Sequence, residues 1–105
     1  MSELSVPFAI KNLVNYAEKA IVSKTIIKKP TGTVTLFAFD KGEELSEHTA
    51  PYEAFLQVFD GEAEITVGGV AHKVSKSQSI ILPAHVPHAV AAKERFKMML
   101  TMIKS

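Results

Sequence analysis

From Ile21 onward the chain is built of short runs rich in Val, Ile, Thr and Phe, separated at close intervals by Gly, Pro and Asp. Such runs predict β-strands, because β-branched and aromatic side chains fit a pleated surface while Gly and Pro end or turn it. The runs are Ile21–Ile27, Thr33–Phe39, Glu53–Phe59, Glu62–Val67, Val70–Val74, Ser79–Leu82, His88–Ala92 and Phe96–Ile103. About eight strands with little helix is the pattern of an all-β sandwich or small antiparallel barrel. Ahead of them, Asn12–Ala17 carries no sustained period and is given at most a single helical turn.

Parity within the runs assigns faces. Glu62–Val67 alternates, with Ala63, Ile65 and Val67 on a buried face and Glu62, Glu64 and Thr66 in water. Phe96, Met98, Leu100 and Met102 share one face of the last strand, while Met99, Thr101 and Ile103 share the other. That strand is apolar on both sides, as is Phe55–Phe59, where Phe55 and Phe59 oppose Leu56 and Val58. Strands of this kind are covered on both faces, by a second layer or a second subunit. A homodimer is therefore expected. Pro30–Thr31–Gly32 and Asp40–Lys41–Gly42 read as turns, and Asp60–Gly61 and Gly68–Gly69 as tight hairpin turns marking a meander from Ala54 to Val74. No repeat, low-complexity tract or linker interrupts the chain, so residues 1–105 read as one domain.

Charge and composition narrow the function. Lys+Arg 12 against Asp+Glu 11 gives a net charge of +1, which supplies no field for nucleic acid or an anionic membrane. The basic group Lys24, Lys28 and Lys29 is short and lacks interleaved aromatics, so it reads as a solvated face. Without cysteine there are no disulfides and no thiolate chemistry, and metal would have to be held by His and carboxylate. Met1–Ile10 lacks the basic flank and apolar run of a signal peptide, and no stretch approaches the roughly 20 apolar residues of a membrane span, so a cytoplasmic location is expected. No Gly-x-Ser-x-Gly elbow exposes a serine nucleophile, and Gly68–Gly69 leads into a strand and not into a phosphate-cradling helix. Glu43, Glu44 and Glu47 cluster on what should be a solvated turn.

The candidates for ligation or proton transfer near neutral pH are His48, His72, His85 and His88. His72 shares a strand face with Val70 and Val74, arrives without a neighbouring ligand and reads as structural or edge-exposed. His48 follows Gly42 by six positions and precedes Gly61, while His88 closes Pro83–Ala84–His85–Val86–Pro87. This order of landmarks, from Gly42 to Ala92, resembles the two sequence motifs of the cupin superfamily of small β-barrel and jelly-roll proteins. Carried over residue by residue, the resemblance implies that His48 and His88 are two of the family's usual metal ligands. The other two ligand positions fall on Ala50 and Ala54, and Glu53 is one residue out of register with the family's glutamate. Ser77 and His85 stand where the second motif has glycines, and Ala92 where it has asparagine.

The resemblance implies a jelly roll with a pocket whose mouth carries His48 and His88, and the missing ligands favour a small-molecule binding module without a full metal site. His85, Glu53 and Gln57 are further candidate ligand-binding groups. The alternative is a small metal-dependent enzyme, dioxygenase- or isomerase-like, with Zn, Fe, Mn or Ni held weakly by His48 and His88 and a non-standard third ligand such as His85 or Glu53.

Overall fold

The structure, a computed structural model, describes residues 5–104; Met1–Leu4 and Ser105, the ends of the span read as one domain, lie outside the described residues. Among the described residues eight antiparallel strands form: β1 (Ile21–Lys29), β2 (Gly32–Phe39), β3 (Glu44–His48), β4 (Glu53–Val67), β5 (Val70–Ser75), β6 (Ser79–Leu82), β7 (His88–Ala91) and β8 (Phe96–Ile103). The first half of β4 lies between β6 and β8, in a sheet ordered β6-β4-β8-β2-β1. Its second half lies between β5 and β7, with β3 beyond β7. The expected antiparallel jelly-roll architecture is present, and β4 is the element common to both layers.

Two expectations are corrected here. Asp60–Gly61 is not a hairpin turn: the chain runs through it as one strand, with Asp60 opposite Lys97 and Gly61 opposite Phe96. A register shift between Val58 and Asp60 marks a bulge, and such an insertion bends a strand and raises its twist, which carries β4 from one sheet into the other. Gly61 has φ +70°, and a Cβ there would run into the Arg95 carbonyl oxygen. The acidic run before His48 is likewise not a loop, because Glu44–His48 pairs with β7 as an edge strand whose mostly exposed side chains hide its period. Gly68–Gly69 is a hairpin turn, with φ +57° and +83°, as a primed turn between right-twisted strands requires.

The interior is filled by one parity of each strand. Leu56, Val58, Ile65, Met98, Phe39 and Phe96 are almost completely buried together, with the Phe39 and Phe96 rings stacked at 4.5 Å. Full burial of each such side chain stabilises the fold by about 1.5–3 kcal/mol. Phe39 and Phe96 are also direct partners across β2 and β8, so a single aromatic pair serves both register and core.

The second apolar face has a local explanation. Leu36, Ala38, Phe59 and Met99, on the outside of the β6-β4-β8-β2-β1 sheet, are packed against Ile10, Leu13, Val14 and Tyr16 of the same chain. This segment, which includes a 3-10 turn at Ile10–Asn12, thus covers part of the surface expected to meet another subunit. Tyr16 donates a 2.6 Å hydrogen bond to Asp60, and the Arg95 guanidinium and Lys97 ammonium lie 5.1 and 5.0 Å from its ring centroid. Burial, then the hydrogen bond to the Asp60 carboxylate, pushes the Tyr16 phenol above its ordinary value. Lys97 donates to the Lys11 carbonyl, while Asp40 accepts from Arg95 and from the Lys19 amide, fixing both ends of the segment. No helix among the described residues is long and apolar enough to cross a membrane.

Candidate functional site

His48 ends β3 and His88 begins β7, and the two are direct cross-strand partners. They share a face because paired residues on antiparallel strands point the same way. Val90, two residues beyond His88, belongs to the core, so the imidazoles stand on the inner face, where β3 ends and β7 begins. His88 is 8% exposed, and His48 is open to solvent.

Hydrogen bonding fixes how the two rings meet. His48 Nδ1 is 2.8 Å from the Ser46 carbonyl oxygen and His88 Nδ1 is 3.3 Å from that of Val86. A carbonyl oxygen only accepts, so each Nδ1 carries its hydrogen and each neutral ring presents a bare Nε2 lone pair. Those Nε2 atoms face one another at 3.1 Å, with ring centroids 4.4 Å apart and planes at 70°. Two lone pairs at that distance repel unless an electrophile, a proton or a cation, lies where both can reach it. Burial first, and the neighbouring His48 second, push the His88 imidazole below its ordinary pKa, with the Val86 carbonyl opposing. The charged form of His88 is thereby disfavoured.

The remaining candidates lie elsewhere. Glu53 and Gln57 were expected to bind ligand, but they sit on the outer face of β4, opposite in parity to the inward Ala54 and Leu56. Gln57 lies beside Met99 and Ser79, and Glu53 beside Ile103. His85 is exposed in the β6–β7 turn, where its amide donates a 2.8 Å hydrogen bond to the Ala50 carbonyl and ties that turn to the loop after His48. His72 is exposed on β5. Among the described residues no three His, Cys, Asp or Glu side chains converge as a metal-ligand group. The four-ligand centre implied by the resemblance therefore does not fit: Ala50 and Ala54 have no donor atoms, and neither His85 nor Glu53 completes a set. What fits is two nitrogens.

Sequence reasoning located both histidines but missed the mutual orientation of their rings. Ser46 and Val86, each two residues before its histidine, set that orientation through backbone carbonyls, which leave no trace in side-chain identity.

Comparison with known proteins agrees with this fold. A conserved Streptococcus pyogenes protein of unknown function superposes with a TM-score of 0.92 at 31% identity, over 96% of this chain and 89% of that one. A cupin 2 conserved barrel domain protein from Leptotrichia buccalis gives 0.89 at 44% identity over 92% of this chain, which spans 47% of that protein's length. A cupin superfamily protein from Desulfitobacterium hafniense gives 0.90 at 27% identity, over 95% and 92% of the two chains. No functionally curated protein matches. The sequence profile of the cupin domain matches residues 35–104, which takes in every strand from β3 to β8 and both histidines, and the chain belongs to the cupin domain family.

Proposed function

We propose that this protein binds a small molecule at the barrel mouth, where a hydrogen-bond donor on the ligand, a hydroxyl or amine, is received by Nε2 of His48 and of His88. The observation that carries the reading is the 3.1 Å approach of two nitrogens whose other ring positions are both committed to carbonyl oxygens. An amine facing both lone pairs gives one N–H to each ring, and a hydroxyl shares its single hydrogen with them, so either relieves the lone-pair repulsion at acceptors already held in position. His85, exposed on the turn tied to Ala50, is available at the rim. The test is a thermal-shift screen of hydroxy- and amino-bearing metabolites on the wild type and on the His48→Ala, His88→Ala double variant. Ligand present at about 100 times its Kd stabilises the folded state by about 2.7 kcal/mol. Compounds that raise the wild-type Tm and leave the variant unmoved support the reading; shifts of equal size in both proteins overturn it.

A second reading rests on the same distance. Nitrogens 3.1 Å apart subtend roughly 98° at a cation bonded to each at about 2.05 Å, within the range of adjacent ligands on a divalent metal. With two protein ligands, most coordination positions would be left to water or ligand, and binding of Zn, Fe, Mn or Ni would be weak. Metal analysis of protein prepared without chelator or affinity metal separates the readings. Near-stoichiometric metal that disappears in the double variant favours the cation, and equal trace content in both proteins removes it.

A further inference from the structure

The β6-β4-β8-β2-β1 sheet is wider than the sheet facing it, which ends at β3. Because β3 follows β2 after only Asp40–Glu43, it lies over β2 and leaves the inner side of β1 uncovered. The inner rows change character there. Inward from β1, one row runs Lys28, Thr33, Met102 to the core residue Ala54, and the next runs Thr25, Thr35, Leu100 to the core residue Leu56. Met102, Leu100, Thr33 and Thr35 are half-buried, while Thr25 and Lys28 are exposed. An apolar floor thus gives way to a strip of hydroxyls and one ammonium group. Thr25 Oγ1 and Thr35 Oγ1 lie 3.1 Å apart, so one of the two hydroxyls donates to the other and the second keeps its hydrogen for another acceptor.

This strip faces the histidine pair. β2 runs from Gly32 to the Asp40–Glu43 connection and β3 runs back from it to His48, so equal lengths of strand set His48 level with Thr35. Facing sheets stand about 10 Å apart, a gap that one small molecule spans. Lys28, one strand over from Thr35 and one row further out, lies about 8 Å from it along the sheet. Its charge is unanswered: among the described residues Lys28 joins no ion pair, whereas Lys41, Lys73 and Lys93 lie 3.7, 3.6 and 3.1 Å from Glu94, Glu62 and Glu64. We propose that the small molecule received by His48 and His88 is a polyhydroxy carboxylic acid, whose carboxylate pairs with Lys28 and whose further hydroxyls lie along Thr33, Thr35 and Thr25. The inference rests on the histidine pair as the receiver of one ligand hydroxyl and adds the charge and the reach of the rest of the molecule. Leu100 and Met102 supply the apolar floor against which the carbon chain of such an acid packs.

Calorimetric titration with matched probes tests this. Gluconate is set beside sorbitol and glucuronate beside glucose, each neutral probe carrying a hydroxymethyl group in place of the carboxylate, and acetate serves as a carboxylate without hydroxyls. Each hydroxy acid is expected to bind at least about fivefold more tightly than its neutral counterpart, as a charge-assisted hydrogen bond at a solvent-open site provides. Lys28→Gln brings acid and neutral probe within about twofold of each other, and Lys28→Arg keeps the preference. Lys29→Gln, on the other face of β1, leaves it unchanged. Thr35→Val removes a hydroxyl at constant shape and weakens acid and neutral probe alike, by about threefold or more. Lys28 and Lys29 are exposed, so their variants keep the wild-type Tm, and a Tm comparison separates lost contact from lost fold. Equal binding of acid and neutral probe by the wild type, a preference that survives Lys28→Gln, acetate bound as tightly as gluconate, or no binding of either hydroxy acid at about 10 mM each overturns the proposal. The histidine reading fails separately: a His48→Ala, His88→Ala double variant that binds the acids with unchanged Kd, still through Lys28, keeps the strip and removes the pair.

Discussion

Ser77 and His85 occupy the two positions where the family's second motif has glycine, and both keep a glycine-like backbone, with φ of +73° and +66°. The fold has retained the turn geometry while the sequence has lost the residue suited to it. A side chain in the left-handed region costs about 1–2 kcal/mol, part of which is offset because glycine loses more chain entropy on folding. Ser77→Gly and His85→Gly are therefore each expected to stabilise the protein by about 0.5–1 kcal/mol, read as a higher urea midpoint at unchanged m-value. His85→Gly also removes the rim imidazole while leaving the pair at His48 and His88 intact. At that pair, long-range nitrogen–proton NMR at pH 8 is expected to show both neutral rings protonated at Nδ1, since both Nδ1 atoms face carbonyl oxygens. A ring protonated at Nε2 would contradict the lone-pair geometry on which ligand binding is argued.

Among the elements, β4 shows how far sequence reasoning reaches. A glycine at positive φ serves a hairpin turn and a bulged bend equally well, so Asp60–Gly61 between two apolar runs gives the same local signal for either. What decides is the far side of the sheet: Lys97 and Phe96 of β8 pair with Asp60 and Gly61, leaving no room for a reversal. The same limit applies to the faces of Phe55–Phe59, where apolar residues on both parities hide which side is interior, and with it the placement of Glu53 and Gln57. Where parity was clean, in Glu62–Val67, the buried face could be read directly, with Ala63 and Ile65 in the core and Val67 packed against it. Glu44–His48 escaped notice because an edge strand with mostly exposed side chains has little apolar period to show. The role of Gly61 yields a test. Gly61 and Gly42 both have positive φ, but a Cβ on Gly42 meets nothing within 4 Å, whereas one on Gly61 strikes the β8 backbone at Arg95 and Phe96. Gly42→Ala is expected to cost about 1 kcal/mol, and Gly61→Ala upwards of about 3 kcal/mol, by urea unfolding. Equal losses would mean that β4 does not bend at this contact.

At the scale of the whole molecule, the N-terminal segment divides the outer face of one sheet into a part closed by the chain itself and a part left open. The closure is anchored through Asp40, a buried carboxylate that accepts from Arg95 Nε at 2.7 Å and from the Lys19 amide at 2.6 Å. The Arg95 hydrogen bond first, and the Lys19 amide second, hold its pKa down to about 2. An aspartate in the unfolded chain titrates near 3.9, so in the window between the two values the unfolded state binds more protons than the native one. The stabilisation from Asp40 is thus fully present above about pH 4 and is lost as the pH falls from there through about 2. Thermal unfolding of the wild type should fall more steeply across that interval than that of Asp40→Asn, whose anchor does not titrate, while above pH 5 the wild type should be the more stable. Because Leu36, Ala38, Phe59 and Met99 lie beneath the anchored segment, its acid release should also widen the exposed apolar face. Binding of a hydrophobic dye in the wild type, but not in Asp40→Asn, should then rise over the same pH interval, and parallel profiles in the two proteins would separate Asp40 from the closure.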